Sequence, residues 1–172
     1  YTLVPTTLLA MCDSCIGGKT SINHHKRKNI LGTFYPPDEV KISLEFLNTL
    51  DKRNLFSGYG ELIKFYCLDN NIFNIDLDNL EECVYYGLNK KSKIIQTDEF
   101  DKGERKLLNF GHTFGHALES ASNYAIPHGS AVIIGILAAN EISSNLGYCS
   151  ERYNTNVRDK LLPFITHLKL KK

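Results

Sequence analysis

Beyond residue 51, apolar residues recur at three- and four-residue spacing, which is typical of helices that bury one face. The last regular pattern stops at Gly147, a residue type that commonly follows a helix C-terminus. Pro163 interrupts a further pattern, because proline cannot donate the helical hydrogen bond. The spacing predicts helices over residues 55–68, 80–95, 107–121 and 131–146, and one bent near Pro163 over residues 156–170.

The first 50 residues have a shorter, mixed pattern. Residues 5–10 predict a short helix. Residues 19–23 and 29–34 predict two strands that pair across a basic turn, and residues 40–43 predict another short strand. The expected fold is therefore mainly α, with a short α/β segment in residues 1–50 before a helical domain in residues 51–172.

Composition narrows the possible partners. The 172 residues are 42% hydrophobic and 23% charged, and the net charge is only +1. Such a balance gives no field that would draw the chain onto nucleic acid or an anionic membrane. No apolar run approaches the ~18 residues that a transmembrane helix needs. The chain does not begin with Met and has no basic targeting segment there, so we expect an internal part of a longer protein.

The five cysteines are scattered along the chain, which fits free thiols and a cytoplasmic location. Cys12 and Cys15 have the C-x-x-C spacing of a redox pair or of half a zinc site. No second pair completes a zinc site, and the preceding residues predict a helix rather than the strand that leads into a redox turn. We therefore expect neither function for these two thiols.

The histidines after residue 107 carry the most informative chemistry. His112 and His116 are four residues apart, so on a helix they share a face, as in H-x-x-x-H zinc sites. Two ordinary surface histidines have the same spacing. Gly111 and Gly115 directly precede them, and a glycine costs ~1 kcal/mol in a helix interior relative to alanine. The repeated glycines therefore indicate close packing or the approach of a ligand.

A catalytic zinc site usually has three protein ligands and one open position. His128, at the start of the next apolar pattern, is a further candidate ligand. Glu61 is the best carboxylate candidate, because it lies in an otherwise apolar stretch after two glycines. Lys64 lies on the same helical face, where it could instead form an ordinary surface ion pair with Glu61.

Cationic and amide groups accompany these candidates. Residues 13–19 form a glycine loop that ends in Lys19 but lacks the spacing of a P-loop. Arg105 and Asn109 are four apart and face the same way as the histidines if the helix over residues 107–121 starts early. Together with Lys91 they suit a phosphate or carboxylate beside a metal, although each alone is typical of a solvated side chain.

Taken in order, these segments resemble the 3-dehydroquinate synthase family over most of the chain. The resemblance implies conversion of 3-deoxy-D-arabino-heptulosonate 7-phosphate to 3-dehydroquinate in the shikimate pathway, with NAD⁺ and Zn²⁺ (or Co²⁺) as cofactors. It implies that residues 1–50 are the C-terminal remnant of an NAD-binding α/β domain and that residues 51–172 are a helical metal- and substrate-binding domain. The chain then lacks the N-terminal NAD-binding part and the extreme C-terminus, so alone it is expected to be inactive. The full-length protein is expected to be a homodimer. The matching segments are residues 5–10, 13–19, 23, 28–29, 32–37, 46–50, 57–64, 98–99, 103–117 and 128–129.

The resemblance also implies roles for individual residues. It makes Glu61, His112 and His128 the metal ligands, in place of a pair formed by His112 and His116. It gives His116 a part in proton transfer near the leaving phosphate. The other positions that match substrate contacts are Asp13, Lys19, Asn29, Lys64, Lys91, Arg105 and Asn109. The positions that match cofactor contacts are Thr6, Thr7, Asp13, Lys19, Lys28, Phe46 and Thr49.

Three positions depart from the family pattern, and three other functions stay open. Ser130 stands where the family commonly has a Glu that could orient a metal-binding histidine, Cys15 where it has Ser, and Asp101 where it usually has Glu. The alternatives are another sugar-phosphate cyclase, such as 2-deoxy-scyllo-inosose synthase or an epi-valiolone synthase, an inactive metal-binding fragment, and a metal-dependent alcohol dehydrogenase. Residues 13–19 and 108–112 favour the dehydroquinate synthase.

Overall fold

The structure, a computed structural model, describes residues 1–25, 27–69, 74 and 76–165; the side chains of Asn23, Arg27 and Lys28 lie outside this description. The part of the predicted 156–170 helix beyond residue 165 also lies outside it. The strands are β1 (Thr2–Leu3), β2 (Ile22–His24), β3 (Arg27–Leu31) and β4 (Glu39–Val40). The α-helices are α1 (Lys52–Leu68), α2 (Leu80–Thr97), α3 (His112–Ala121), α4 (His128–Asn145) and α5 (Glu151–Leu161).

The first 50 residues contain two small sheets. β1 pairs in parallel with β4, so Thr2 lies opposite Glu39. β2 and β3 form the predicted antiparallel hairpin, and a bridge between Lys19 and Phe34 extends it. The predicted strand at residues 40–43 is shorter than expected, because the chain leaves β4 after Val40 and enters a 3₁₀ helix, Leu44–Thr49. The short helix predicted over residues 5–10 begins later, at Leu8, and continues as a π-helical turn, Ala10–Ser14.

Side-chain caps set the starts of the first two long helices. The carboxylate of Asp51 accepts a hydrogen bond from the Asn54 amide at 2.9 Å, so α1 starts before its first apolar residue. The side chain of Asn79 accepts from the Glu82 amide at 3.3 Å and starts α2 in the same way. Both predicted helices are confirmed with slightly extended ends.

The prediction of one helix over residues 107–121 is wrong. A 3₁₀ helix, Glu104–Asn109, and α3 are separated at Gly111, which has a φ of +76°. A Cβ at Gly111 would lie 2.7 Å from the Val132 carbonyl oxygen, so only glycine lets the chain turn this closely against α4. Arg105 and Asn109 therefore do not continue the helical face of His112, as a single helix would require.

The last two helices end as predicted. α4 is followed by Gly147 with a φ of +78°, the expected left-handed C-terminal glycine. α5 stops at Leu161, and Pro163 lies in a short 3₁₀ turn, Leu162–Phe164. The predicted break near Pro163 is thus confirmed within the described residues.

Helix α1 lies at the centre of the molecule and contributes to two apolar clusters. Ile63 packs with Val132, Ile133 and Ile136 of α4 and with residues of α5. Leu62 packs with the π-helical turn and with α2. The mainly helical class with a small α/β part is confirmed. All five cysteines are free thiols. Among the described residues, no helix is both long and apolar enough to cross a membrane.

Candidate metal centre

Three side chains from separate helices converge on one point. Glu61 lies in the middle of α1 and is only 1% exposed, whereas His112 and His128 are the first residues of α3 and α4. The Nε2 atoms of His112 and His128 lie 3.4 and 3.2 Å from Oε1 of Glu61. The predicted ligand set therefore forms a potential metal-binding group.

Hydrogen bonds on the far side of each ring define which nitrogen faces this point. The Nδ1 atom of His112 lies 3.1 Å from the Phe110 carbonyl oxygen, and Nδ1 of His128 lies 3.3 Å from Oε1 of Glu119. Both acceptors require a proton on Nδ1, so in the neutral rings each Nε2 presents a lone pair. Two lone pairs and a carboxylate oxygen then face one another, an arrangement that a bound cation would stabilise.

Two further observations indicate that this site favours a positively charged group. Oε1 of Glu61 is fully buried and accepts no hydrogen bond from any described residue. Burial lowers the pKa of His128, but contact with Glu61 and the charges of Glu61 and Glu119 outweigh burial, so its pKa is raised. A neutral imidazole pair and one carboxylate are an ordinary donor set for Zn²⁺, so the residues present fit that ion.

Close backbone packing brings α1 and α4 to this distance. A Cβ built on Gly129 would lie 1.9 Å from the Ser57 carbonyl oxygen, and one built on Gly60 would lie 2.2 Å from the Gly129 carbonyl oxygen. The Gly129 amide also donates to the Ser57 hydroxyl at 3.1 Å, which satisfies a free amide at the start of α4. These contacts hold His128 opposite Glu61.

A chain of alternating charges extends from Glu61. Lys64 contacts Oε2 of Glu61, and its Nζ lies 3.8 Å from Oδ1 of Asp13. Lys91 lies 3.3 Å from the same Asp13 oxygen and donates to the Asp13 carbonyl at 2.6 Å. Four of the predicted residues therefore meet in one network. The surface ion pair that the spacing of Glu61 and Lys64 also allowed is excluded, because both side chains are buried.

The contact between Glu61 and Lys64 offsets the effect of burial on the pKa of each. Burial raises the pKa of Glu61, but the Lys64 ammonium and the two imidazoles hold it well below the usual value. Burial lowers the pKa of Lys64, but Glu61 and Asp13 more than offset that, and its pKa is raised. Both pKa shifts therefore favour the ionised form of the buried pair.

Arg105 is buried and bonded to the backbone. Its Nη2 donates to the Gly17 carbonyl at 2.8 Å, and its Nη1 donates to the Glu99 carbonyl. Asp98 supports the same loop by accepting hydrogen bonds from three amides, those of Lys102, Gly103 and Arg105. Arg105 thus ties the glycine loop to the segment before α3, and its predicted contact with substrate stays a prediction.

Lys19 pairs with Asp101, which lines the same cavity as Asn109. Lys19 pairs with Oδ2 of Asp101 at 2.5 Å. Asp101 and Asn109 both line an open cavity of about 540 Å³, together with Phe110 and Thr113 from the turn into α3. The cavity therefore lies next to the segment that carries His112.

His116 lies beside the three converging side chains but not among them. Its Nε2 is 4.0 Å from Oε2 of Glu119, and its ring centroid is 5.2 Å from that of His112. Among the described residues, His116 belongs to a second potential group with Glu119 and His128, and neither group contains both His112 and His116. His112 therefore belongs to one group, His116 to the other and His128 to both.

Two family models match the chain. The model described as 3-dehydroquinate synthase C-terminal matches residues 58–171, and the model described as 3-dehydroquinate synthase N-terminal matches residues 1–57. The chain belongs to the 3-dehydroquinate synthase family. The family predicted from the order of the motifs is confirmed.

The chain aligns with about half the length of its relatives in this family. The chain is 41% identical over 177 residues to 3-dehydroquinate synthase of Dictyoglomus thermophilum, covering 95% of the chain and 50% of that protein. It is 40% identical over 169 residues to 3-dehydroquinate synthase of Campylobacter concisus, covering 94% of the chain and 49% of that protein. The chain thus spans about half the length of these curated relatives.

Solved structures of related cyclases share the fold. A 2-deoxy-scyllo-inosose synthase complexed with carbaglucose-6-phosphate, NAD⁺ and Co²⁺ superposes with a TM-score of 0.87 at 27% identity, covering 99% of this chain and 50% of that one. A 2-epi-5-epi-valiolone synthase from Streptomyces hygroscopicus subsp. jinggangensis, with NAD⁺ and Zn²⁺ bound, superposes with a TM-score of 0.78 at 26% identity, covering 99% of this chain and 52% of that one.

The residues that resemble cofactor contacts of the family lie near the N-terminus. The Thr7 hydroxyl accepts a hydrogen bond from the Ala10 amide at 3.2 Å, and Thr6 is exposed. Phe46 and Thr49 share the 3₁₀ helix after β4, where the Thr49 hydroxyl donates to the Phe46 carbonyl at 3.3 Å. Asn29 lies in β3, and the side chain of Lys28 is outside the described residues. These assignments stay predictions.

Sequence reasoning gave no role to Glu119, Ser57 or Arg53. Glu119 follows His112 by seven residues, two helical turns, so its position on the same face was a usable signal. Arg53 donates to the carbonyl oxygens of Tyr124 and Ala125 at 3.2 and 2.8 Å, and so holds the turn before His128 against α1. That contact joins residues more than 70 positions apart, and no local pattern indicates it.

Proposed function

We propose that this chain is the metal- and substrate-binding part of a 3-dehydroquinate synthase. The complete enzyme would convert 3-deoxy-D-arabino-heptulosonate 7-phosphate into 3-dehydroquinate and phosphate, a step in aromatic amino acid biosynthesis. The observation that carries the proposal is the convergence of Glu61 Oε1 with the Nε2 atoms of His112 and His128, each ring fixed by an acceptor at Nδ1.

In this proposal Glu61, His112 and His128 hold Zn²⁺ or Co²⁺. The ion supplies the Lewis acidity that polarises a substrate hydroxyl. The two related cyclases were solved with Co²⁺ and Zn²⁺, which supports either ion. The carboxylate contributes negative charge, and its second oxygen is neutralised by Lys64, so the anion of Glu61 is held in one orientation.

NAD⁺ supplies reversible hydride acceptance, and the same two cyclases were solved with it. The residues of this chain proposed to contact it are Thr6, Thr7, Asp13, Lys19, Lys28, Phe46 and Thr49. Most of the nucleotide-binding domain would come from the half of the protein that this chain does not span.

The remaining residues bind and orient an anionic sugar acid. Lys64 and Lys91 are buried ammonium groups beside the ligand set, and they attract a phosphate or carboxylate. Asn109 at the 540 Å³ cavity, Lys19 and Asn29 supply further hydrogen-bond donors. His116, which is more exposed than the ligands and lies 4.0 Å from Glu119, would exchange a proton at the phosphate being eliminated. Catalysis by this chain is mostly positioning and charge stabilisation.

The finer assignments belong to the same proposal. Free cysteines fit a cytoplasmic enzyme. The balanced charge fits a small-molecule substrate rather than nucleic acid or a membrane. We expect the full-length protein to be a homodimer, as the family resemblance implies.

A chimera tests the activity. The matching half of the Dictyoglomus thermophilum enzyme is replaced by this chain, and phosphate release is measured with heptulosonate 7-phosphate, NAD⁺ and Zn²⁺. We expect turnover that is lost in the His112→Ala chimera, with the unmodified D. thermophilum enzyme as the positive control. A folded, zinc-loaded chimera that releases no phosphate would contradict the proposal and favour an inactive metal-binding fragment.

A second substrate distinguishes the related cyclase. Structural similarity to 2-deoxy-scyllo-inosose synthase makes glucose 6-phosphate the appropriate competitor. Family models and relatives near 40% identity favour the heptulosonate instead. Faster phosphate release from glucose 6-phosphate would transfer the assignment to that cyclase, and net NADH formation with a simple polyol would indicate an alcohol dehydrogenase.

A further inference from the structure

The orientation of His128 depends on what its second ring nitrogen contacts. A ring that uses Nε2 toward Glu61 must carry its proton on Nδ1, and a buried acceptor at Nδ1 makes that tautomer the stable one. Without such an acceptor the two tautomers of imidazole are close in energy, and the ring can also rotate. An acceptor at this position therefore controls both the direction and the availability of the lone pair.

Two nearby side chains are candidates for this acceptor. Oε1 of Glu119 lies 3.3 Å from Nδ1 of His128, and Glu119 is 5% exposed. Ser130, two residues after His128, is 1% exposed, but its Oγ makes no hydrogen bond with any described residue. The contact that exists is made from α3, not from the histidine's own helix.

We infer that Glu119 is a positioning residue that fixes the Nδ1–H tautomer and the orientation of His128, and that Ser130 has no part in this. This inference rests on the proposed metal site. Helix α3 thus contributes one ligand directly, His112, and orients a second through Glu119 two turns later. The other carboxylate oxygen of Glu119 lies 4.0 Å from Nε2 of His116.

The test compares three variants of this 172-residue chain. Zinc affinity is measured by competition with a chromophoric chelator. The His128 tautomer is read from ring ¹⁵N shifts in the metal-free protein, at a pH high enough that the imidazole is neutral. Glu119→Ala removes the acceptor, and we expect affinity to fall by about 10–100-fold, with loss of the pure Nδ1–H signature. Glu119→Gln keeps an acceptor oxygen, so we expect the wild-type tautomer and an affinity much nearer to wild type.

Ser130→Ala is the matched control, because it removes a buried hydroxyl from the start of α4 beside the same histidine. We expect wild-type affinity and an unchanged tautomer. Wild-type binding by Glu119→Ala, or an equal loss in Ser130→Ala, would overturn the inference. If Glu119→Ala does not fold, Glu119→Gln decides alone: loss of the tautomer signature or a more than tenfold loss of affinity refutes it. None of these readouts requires turnover, so an inactive chimera would leave them interpretable.

Discussion

The contact between Gly129 and Ser57 gives the sharpest prediction. Real Cβ atoms essentially never approach another atom closer than 3.0 Å, and the Cβ of Gly129→Ala would lie 1.9 Å from the Ser57 carbonyl oxygen. A backbone oxygen cannot move aside as a side chain can, so α1 and α4 must separate by the difference, 1.1 Å. Overpacking of this kind costs about 1–3 kcal/mol. Loss of the bond from the Gly129 amide to the Ser57 hydroxyl adds about 1 kcal/mol.

The same displacement moves His128 away from Glu61. Metal–ligand distances tolerate deviations of about 0.2 Å, so a shift near 1 Å disrupts the ligand geometry. We expect Gly129→Ala to melt roughly 4–16 °C below wild type in the absence of metal. We also expect its zinc affinity, measured by chelator competition, to fall by at least tenfold, about 1.4 kcal/mol.

Gly147→Ala is the control for this experiment. Gly147 has a φ of +78° at the end of α4, but nothing lies within 4 Å of its added Cβ. Alanine there costs about 1 kcal/mol of backbone strain, which lowers the melting temperature without changing zinc affinity. A folded Gly129→Ala that binds zinc like the wild type would refute the reasoning, as would an affinity loss in Gly147→Ala.

Three other experiments, with four variants, test separate contacts. His112→Ala should lose bound zinc after dialysis while His116→Ala retains it; loss from both would contradict their separate roles. Arg53→Ala should weaken zinc binding severalfold by loosening the turn before His128, and unchanged affinity would show that the turn is held without it. Hydrogen bonds from Asn54 lower the pKa of the Asp51 cap. Its stabilisation is therefore present above the unfolded pKa and lost as pH falls below roughly 4, so the melting difference between wild type and Asp51→Asn should close there.

The long helices could be predicted because local signals agree. Apolar spacing, the Asp51 and Asn79 caps and Gly147 all concern neighbouring residues, and α1, α2 and α4 follow from them. The break at Gly111 could not be predicted in this way. Its cause is the approach of Val132 and Ile136, which are distant in sequence, and an isolated glycine before a histidine is compatible with a continuous helix.

The candidate site also has features that the sequence predicts and features that depend on tertiary contacts. The types of ligand were visible as one carboxylate and several histidines, and the family resemblance selected among them. The distances between the ligand atoms depend on the backbone contact of Gly60 and Gly129. The tautomers of the two histidines depend on acceptors at Phe110 and Glu119, whose positions only the folded structure shows. For Arg105, the charge suggested a substrate contact, which stays a prediction, whereas its bonds to the carbonyls of Gly17 and Glu99 could not be predicted from the sequence.

The charged network around Glu61 has a consequence for how the two ligands bind together. The carboxylates of Asp13, Glu61 and Glu119 lie beside the ammonium groups of Lys64 and Lys91. On the proposed function, a divalent cation held there offsets the carboxylates and leaves the ammonium groups to attract a phosphorylated sugar acid. The bound cation therefore raises the affinity for the anionic substrate, and by linkage the substrate raises the affinity for the cation.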